Sequence, residues 1–213
     1  MNKDLKIIEP RFSYDLEKYD NSFIPFEEDT VSNKIFESIT FENINYEYKD
    51  FSGCIFKNCV FKNVKLGKFT FEDIIFENCD LSNFNFSNSG LHRIIFRNCK
   101  LTGADFSESI LNNIYFDTCQ SLYSNMSSTK FKNVLIENSN FTNSSFIEVE
   151  FKNTYFIDTN LTKCDFINTL LKGIDFTTDI IDDIVVSGKE LKGSIVNSIQ
   201  ALELSKILGI IIK

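Results

Sequence analysis

Stepping five residues at a time from Phe36, the chain returns to an apolar residue at 32 of 33 positions as far as Val196; the exception is Ser121. The middle of the run reads Phe51, Phe56, Phe61, Leu66, Phe71, Phe76, Leu81, Phe86, Leu91, Phe96, Leu101, Phe106, Leu111, Phe116. A helix repeats every 3.6 residues and a strand every two, so neither produces this series. Self-similarity at a fixed short period marks a repeat architecture. Eighteen of the 23 phenylalanines sit on the lattice, which makes them core.

A second inward site falls two residues before each lattice position. It holds mostly small or β-branched residues, among them Cys54, Cys59, Val64, Ile74, Cys79, Ile94, Cys99, Ala104, Ile114 and Cys119. The other three residues of each five are mostly polar and read as solvent-facing. Cys59, Cys79, Cys99 and Cys119 are spaced by 20, followed by Ser139 and Thr159. A coil with four sides of five residues each stacks them in one interior column. Asn58, Asn78, Asn98 and Asn138 form an outer column, and Lys132, Lys152, Lys172 and Lys192 another.

Local departures carry their own expectations. Phe69 and Phe84 are too large for the second inward site, so a swollen coil is expected there. Ser121 leaves its column short, so residues 119–128 are the expected bulge, with Leu122 or Tyr123 moving in. Lys49, Asp179 and Lys189 fall on inward sites and mark fraying of the lattice at its ends.

The domain plan is an N-terminal cap over 1–30, a repeat region over 31–196, and a C-terminal helix and tail over 197–213. The cap holds both prolines, Pro10 and Pro25, and many acids. A solenoid needs a cap because its first coil has an unpaired edge. In the tail, Ser198 can cap a helix over 199–208 that Gly209 ends. Its apolar residues surround most of the axis, with Gln200, Glu203 and Lys206 as the polar strip. Such a helix is buried on more than one side. A twofold dimer through Ile199, Leu202, Leu204, Ile207, Leu208, Ile210, Ile211 and Ile212 is therefore expected.

Composition narrows function. A net charge of −8 argues against direct nucleic-acid binding. Residues 1–50 carry 12 acids and 6 bases, 51–136 carry 7 and 9, and 137–190 carry 10 and 4, so negative charge gathers at the two ends of the repeat region. No apolar run spans a membrane, and the start MNKDLKIIEPRF lacks a signal-peptide core, so a cytoplasmic protein is expected. The six cysteines follow the inward-site rule and suit neither metal nor disulfides. His92, the one histidine, lies outside with no paired nucleophile or carboxylate, and no phosphate-loop or hydrolase motif occurs. No enzyme, cofactor or metal site is expected. Ile55, Ile75, Ile95, Tyr115, Leu135 and Tyr155 form an outer apolar stripe, either sheet packing or a binding surface.

Units such as FSGCIF (51–56), LTGADF (101–106) and LTKCDF (161–166) resemble pentapeptide repeats, whose family fold is an all-β, right-handed quadrilateral β-helix. The tail, with Gly193, Val196, Gln200, Ala201, Glu203, Leu204, Leu208, Gly209, Ile210 and Ile212, resembles that of the Qnr quinolone-resistance group, especially its Gram-positive members. That resemblance implies a rod-like homodimer mimicking duplex DNA. It would bind DNA gyrase or topoisomerase IV and protect it from quinolones or inhibit it. The carboxylates expected to face the enzyme are Asp105, Glu108, Glu148, Asp158, Asp165, Asp175, Asp179, Asp182 and Asp183. The chain departs from the group in having no insertion for projecting loops, and in its lysine column. The competing expectation is an interaction scaffold for a different partner, working through the Ile/Tyr stripe.

Overall fold

The structure, a computed structural model, describes residues 7–13, 15–19, 30–46 and 48–210; Ile211, Ile212 and much of the expected cap, including Pro25, lie outside these, as does the side chain of Leu208. The main sheet contains β1 (Glu17–Lys18), β2 (Thr30–Ser32), β3 (Lys34–Glu37), β5 (Asp50–Lys57), β7 (Thr70–Glu77), β8 (Gly90–Arg97), β9 (Ile110–Asp117), β10 (Lys130–Glu137) and β11 (Glu150–Ile157). All its pairs are parallel. From β5 onward each residue faces the one 20 positions later, as in Phe51 with Phe71 and Ile94 with Ile114. A separate two-stranded sheet joins β4 (Thr40–Asn45) to β6 (Val60–Lys65). Further corners continue as single bridges, such as Asp80 with Lys100 and Asn85 with Asp105. The quadrilateral β-helix expected from the lattice is the observed fold.

Aromatic stacking fills the interior. Phe36, Phe56, Phe76, Phe96 and Phe116 lie in one column with ring centroids 4.8, 4.9, 5.2 and 5.0 Å apart and planes within 13°. Each such pair contributes about 0.5–1.5 kcal/mol beyond the area it buries. The small inward residues have a second role. Their thiols and hydroxyls donate to the carbonyl 23 residues earlier: Cys99 to Phe76 at 3.4 Å, Cys119 to Phe96 at 3.3 Å, Thr129 to Phe106 at 2.8 Å. Cys, Ser and Thr therefore recur because they fit the space and satisfy a buried acceptor. All six thiols are free and buried. Burial pushes Cys119 and Cys164 up to about 12.

The middle residue of many fives has positive φ, for example Asn58, Asn78, Asn98 and Asn138 at 51–54°. Asparagine tolerates this left-handed conformation better than other residues with a side chain, which explains its outer column. Its amides also bond across coils, Asn98 to Asn78 at 2.7 Å. At Gly103 a Cβ would sit 2.4 Å from the Asn83 side-chain oxygen, so a side chain there would require the Asn83 amide to swing aside.

The two irregularities resolve differently. No bulge forms at 119–128, because the ladder runs unbroken from Lys100 through Gln120 to Asn140. Ser121 is fully buried and donates to Ser124 (3.2 Å), which bonds Ser144 (3.0 Å), whose hydroxyl also reaches the Ser121 carbonyl at 2.8 Å. This network satisfies the hydroxyls in place, and Tyr123 stays 64% exposed. Around Phe84 the coil does open. Phe69 and Phe84 are buried edge to face at 6.1 Å. Pairing between β6 and the next coil stops after Val60–Asp80 and resumes only at Gly90, whose amide donates to Phe69. A cleft of about 740 Å³ lies between.

The ends also differ from expectation. β1 adds to the edge of β3, with Tyr19 against Phe36 at 5.1 Å. Residues 8–13 instead run along the flank of the rod. The Ile8 amide donates to Asn113 (3.2 Å), the Arg11 amide to Asp73 (2.9 Å) and the Ser13 hydroxyl to Asn33 (3.1 Å). Lys49 is buried with its ammonium 5.4 Å from the Tyr46 ring centre. At the far end Lys189 is exposed and Glu190 takes the inward place, held by the amides of Asn168 and Ser187. Helix α1 (Ser198–Ser205) is capped by Asn197 rather than Ser198, in a reciprocal box with Gln200. Gln200 is not on a solvent-facing strip. It is buried, and its amide donates to the carbonyls of Phe176 (2.6 Å) and Asp179 (2.8 Å), sealing the last coil. Gly209 closes the following 3-10 turn at φ 69°.

Asp179 is the weak point of this end. It occupies the column of Cys119, Ser139 and Thr159, and one carboxylate oxygen accepts the Thr159 amide at 2.8 Å. Its other oxygen is buried without a partner among the described residues. Burial pushes its carboxyl up to about 7, against the Thr159 bond and with help from Asp158 and Asp175. The raised value means the protonated form is the one the fold favours. Its stabilising contribution is complete below the ordinary value of 3.8 and is lost as pH rises through about 7. Asp179→Thr restores the column's usual hydroxyl. We expect it to raise stability at pH 8 by about 1–3 kcal/mol and to flatten the loss between pH 4 and 8, read as Tm against pH.

Candidate interaction surfaces

With the interior fixed by register, every outward column runs straight along the rod. Asp105 and Asp165 share one column with Asn125 and Ser145. Their placement has a local cause: each accepts the amide two residues on, Asp105 from Ser107 (3.0 Å) and Asp165 from Ile167 (2.9 Å), as Asn125 does from Ser127 (3.1 Å). This turn geometry selects Asp or Asn, and Asp adds the charge. Glu108 and Glu148 lie in a neighbouring column, both exposed at φ 57°, with the Ser128 hydroxyl donating to Glu148 at 3.5 Å. Asp105 and Glu108 flank the buried Phe106, so the two columns border one corner. The fold thus gathers Asp105, Glu108, Glu148 and Asp165 into one acidic edge.

The remaining acids do not join that edge. Asp158, Asp175, Asp182 and Asp183 are exposed on other sides of the last coils, as a partial ring. Hydrogen bonds from the Thr177 hydroxyl and amide to Asp175 hold its carboxyl below the usual range. Asp179, inward by the lattice but expected among the enzyme-facing carboxylates, is buried and is removed from the acidic face. Glu190 is likewise internal. The lysine column lies elsewhere, with Lys132 beside Lys152 across β10 and β11.

The apolar stripe is continuous. Ile55, Ile75, Ile95, Tyr115, Leu135 and Tyr155 are ladder neighbours, half-buried except Ile95, which is buried. It is bordered by a column of alternating charge, with Lys57–Glu77 at 3.6 Å and Arg97–Asp117 at 3.4 Å. The Tyr115 hydroxyl donates to Glu137 at 2.5 Å; burial and this bond both raise its pKa. On the same face the 8–13 segment is anchored at Asp73. Burial pushes that carboxyl up, but the Arg93 guanidinium (2.6 Å) and the Arg11 amide outweigh it and hold it low. The sequence pattern contained no signal for this strap, since its contacts come from side chains on successive coils.

Among the described tail residues, Ile199, Leu202 and Ile210 are 74%, 54% and 53% exposed, whereas Leu204 and Ile207 are half-buried and line a hollow with Ile181 and Ile184. Leu204 packs on the chain's own core. Among the described residues no group of three His, Cys, Asp or Glu side chains could hold a metal. Among the described residues no helix is long and apolar enough to cross a membrane.

A family model described as a pentapeptide repeat region matches residues 69–146, and a pentapeptide repeats model matches 139–177. No curated protein matches the chain. Among solved structures, two trypsin-treated variants of QnrB1, a plasmid-mediated fluoroquinolone resistance protein, align with it. One is 25% identical over 92% of this chain and 96% of that one, with a TM-score of 0.44. The other is 23% identical over 92% and 95%, with a TM-score of 0.42. HetL, a pentapeptide repeat protein involved in heterocyst differentiation regulation from Nostoc sp. strain PCC 7120, aligns at 9% identity over 79% and 90%, with a TM-score of 0.33. The five-residue lattice, the 20-residue coil and the two family matches together establish that this chain belongs to the pentapeptide-repeat family.

Proposed function

We propose that the protein is a non-enzymatic, DNA-mimicking binding rod that docks on DNA gyrase or topoisomerase IV and modulates its response to quinolones. The observation that carries this reading is the acidic edge of Asp105, Glu108, Glu148 and Asp165 along one side of the rod. Duplex DNA presents regularly spaced negative charge, and a rod with carboxylates on a fixed axial repeat competes for the same basic groove. The Qnr-like tail supports the choice of enzyme. Gyrase supercoiling with and without ciprofloxacin, at rising protein concentration, tests it. The protein should inhibit supercoiling or rescue it from the drug. The quadruple variant Asp105→Asn, Glu108→Gln, Glu148→Gln, Asp165→Asn keeps the turn acceptors and should lose that effect by about 10-fold or more while keeping its fold. An inert wild-type protein would refute the reading.

The rod works as a twofold dimer through its C-terminus in this proposal. Ile199, Leu202 and Ile210 supply the exposed apolar contact, while Leu204 and Ile207 brace each helix against its own last coil. Light scattering at micromolar concentration should give a dimer. Ile199→Asp with Leu202→Asp should give a folded monomer; a dimer surviving both changes would place the interface elsewhere.

The second reading is a scaffold for another partner, favoured by the half-exposed Ile/Tyr stripe along six successive strands. A protein inert toward gyrase that still captures a partner, and loses it on Tyr115→Asp, would select this reading.

A further inference from the structure

The cleft beside Phe84 leaves a sheet edge open. In the regular coils, amides at four positions donate to the following coil, as Leu101, Gly103, Phe106 and Glu108 do to Gln120, Leu122, Asn125 and Ser127. In the coil of β6 the first of these survives, Phe61 to Asp80 at 2.9 Å. The corresponding amides of Asn63, Leu66 and Lys68 have no hydrogen-bond partner among the described residues. Neither does the Val64 carbonyl, whose counterpart at Ala104 accepts from Asn125. The cause is Phe84, which stands where Val64, Ala104 and Ser124 stand in other coils and packs edge to face on Phe61 at 5.6 Å.

The rest of the cleft has a definite chemistry. Its floor is apolar, from Tyr46, Phe61, Val64, Leu66 and Phe84. Its rim carries Lys62 and Lys65, with Lys68 one turn on; all three are exposed and make no ion pair among the described residues. Glu42 faces Lys62 across β4 and β6, but the two form no ion pair. The one acid lining the cleft, Asp80, is already bridged to Lys100 at 3.9 Å. An unpaired strand edge recruits an extended chain through its main-chain groups, and side-chain pockets then set specificity.

We propose that this cleft docks an extended acidic segment of a partner protein, which adds a strand to the free edge of β6. Alternate apolar side chains of that segment lie over the floor of Tyr46, Phe61, Val64, Leu66 and Phe84, and the intervening carboxylates meet Lys62 and Lys65. The site lies in the coils before the acidic edge and has the opposite charge, so it serves a different contact from the topoisomerase surface and does not depend on it.

The test uses the full chain and a capped hexapeptide of alternating Val and Asp, with fluorescence anisotropy and amide hydrogen exchange as readouts. In the free protein, the amides of Asn63, Leu66 and Lys68 should exchange about 10-fold or more faster than those of Gly103, Phe106 and Glu108. Peptide addition should slow them selectively, and binding should weaken with salt. Lys62→Glu with Lys65→Glu changes only exposed side chains, and it should lower affinity about 10-fold or more. The same peptide N-methylated at alternate amides should not bind. The proposal is overturned if a Val/Lys hexapeptide binds equally well, if the three amides gain no protection, or if they are already slow in the free protein.

Discussion

Within the rod each coil pairs through its backbone with the coil before it and the coil after it, so one register governs the repeat region. Three kinds of interaction share that register of 20. Backbone ladders pair Phe51 with Phe71, phenylalanine rings stack from Phe36 to Phe116, and small inward side chains donate to carbonyls on the preceding coil. A one-residue slip would disrupt all three and turn the core outward. The five-residue lattice therefore runs without insertion even where single residues fit it badly. Ser121 is accommodated by hydroxyl bonding within the register. Phe84 is accommodated by opening one side while the ladder resumes at Gly90.

The same dependence makes the ends special. A terminal coil has neighbours on one side only, and its carbonyls need other donors. Gln200 supplies two from the helix, and Glu190 supplies an acceptor for the amides of Asn168 and Ser187. Asp179 is the residue that fits this closure least well, because its carboxylate has one buried oxygen unsatisfied. Charge is tolerated in the interior where every polar atom has a partner, as at Glu190, and is costly where one does not.

Because inward positions are committed to packing, function falls to the outward columns. Turn chemistry already favours Asp or Asn before each corner, so an acidic edge costs the fold little beyond the charge itself. Alternation of sign pairs Lys57 with Glu77 and Arg97 with Asp117 along one column, while the stripe beside it stays apolar. The strap of residues 8–13 crosses several coils at once, so the flank it covers is tied together by contacts that no single repeat contains.

The architecture was legible in the residues themselves. The period of Phe36 to Val196 and the spacing of Cys59, Cys79, Cys99 and Cys119 gave the four-sided coil, because each position repeats the same environment. The asparagine column was also present as a pattern, and its left-handed backbone could have been read from it. Other features needed coordinates. Gln200 looked like a surface residue and proved to be a cap, Asp179 kept the inward place that the lattice gave it and so left the enzyme-facing set, and Lys189 turned outward while Glu190 took its inward place. The shared side of Asp105, Glu108, Glu148 and Asp165, by contrast, was already legible in the 20-residue register, because residues 3 to 60 apart fall together once the coils stack. By itself the sequence determined the coil, because periodic burial is a local property. Only the tertiary structure decided the strap, the cap and the open edge beside Phe84, because those depend on how one coil meets a group it does not repeat.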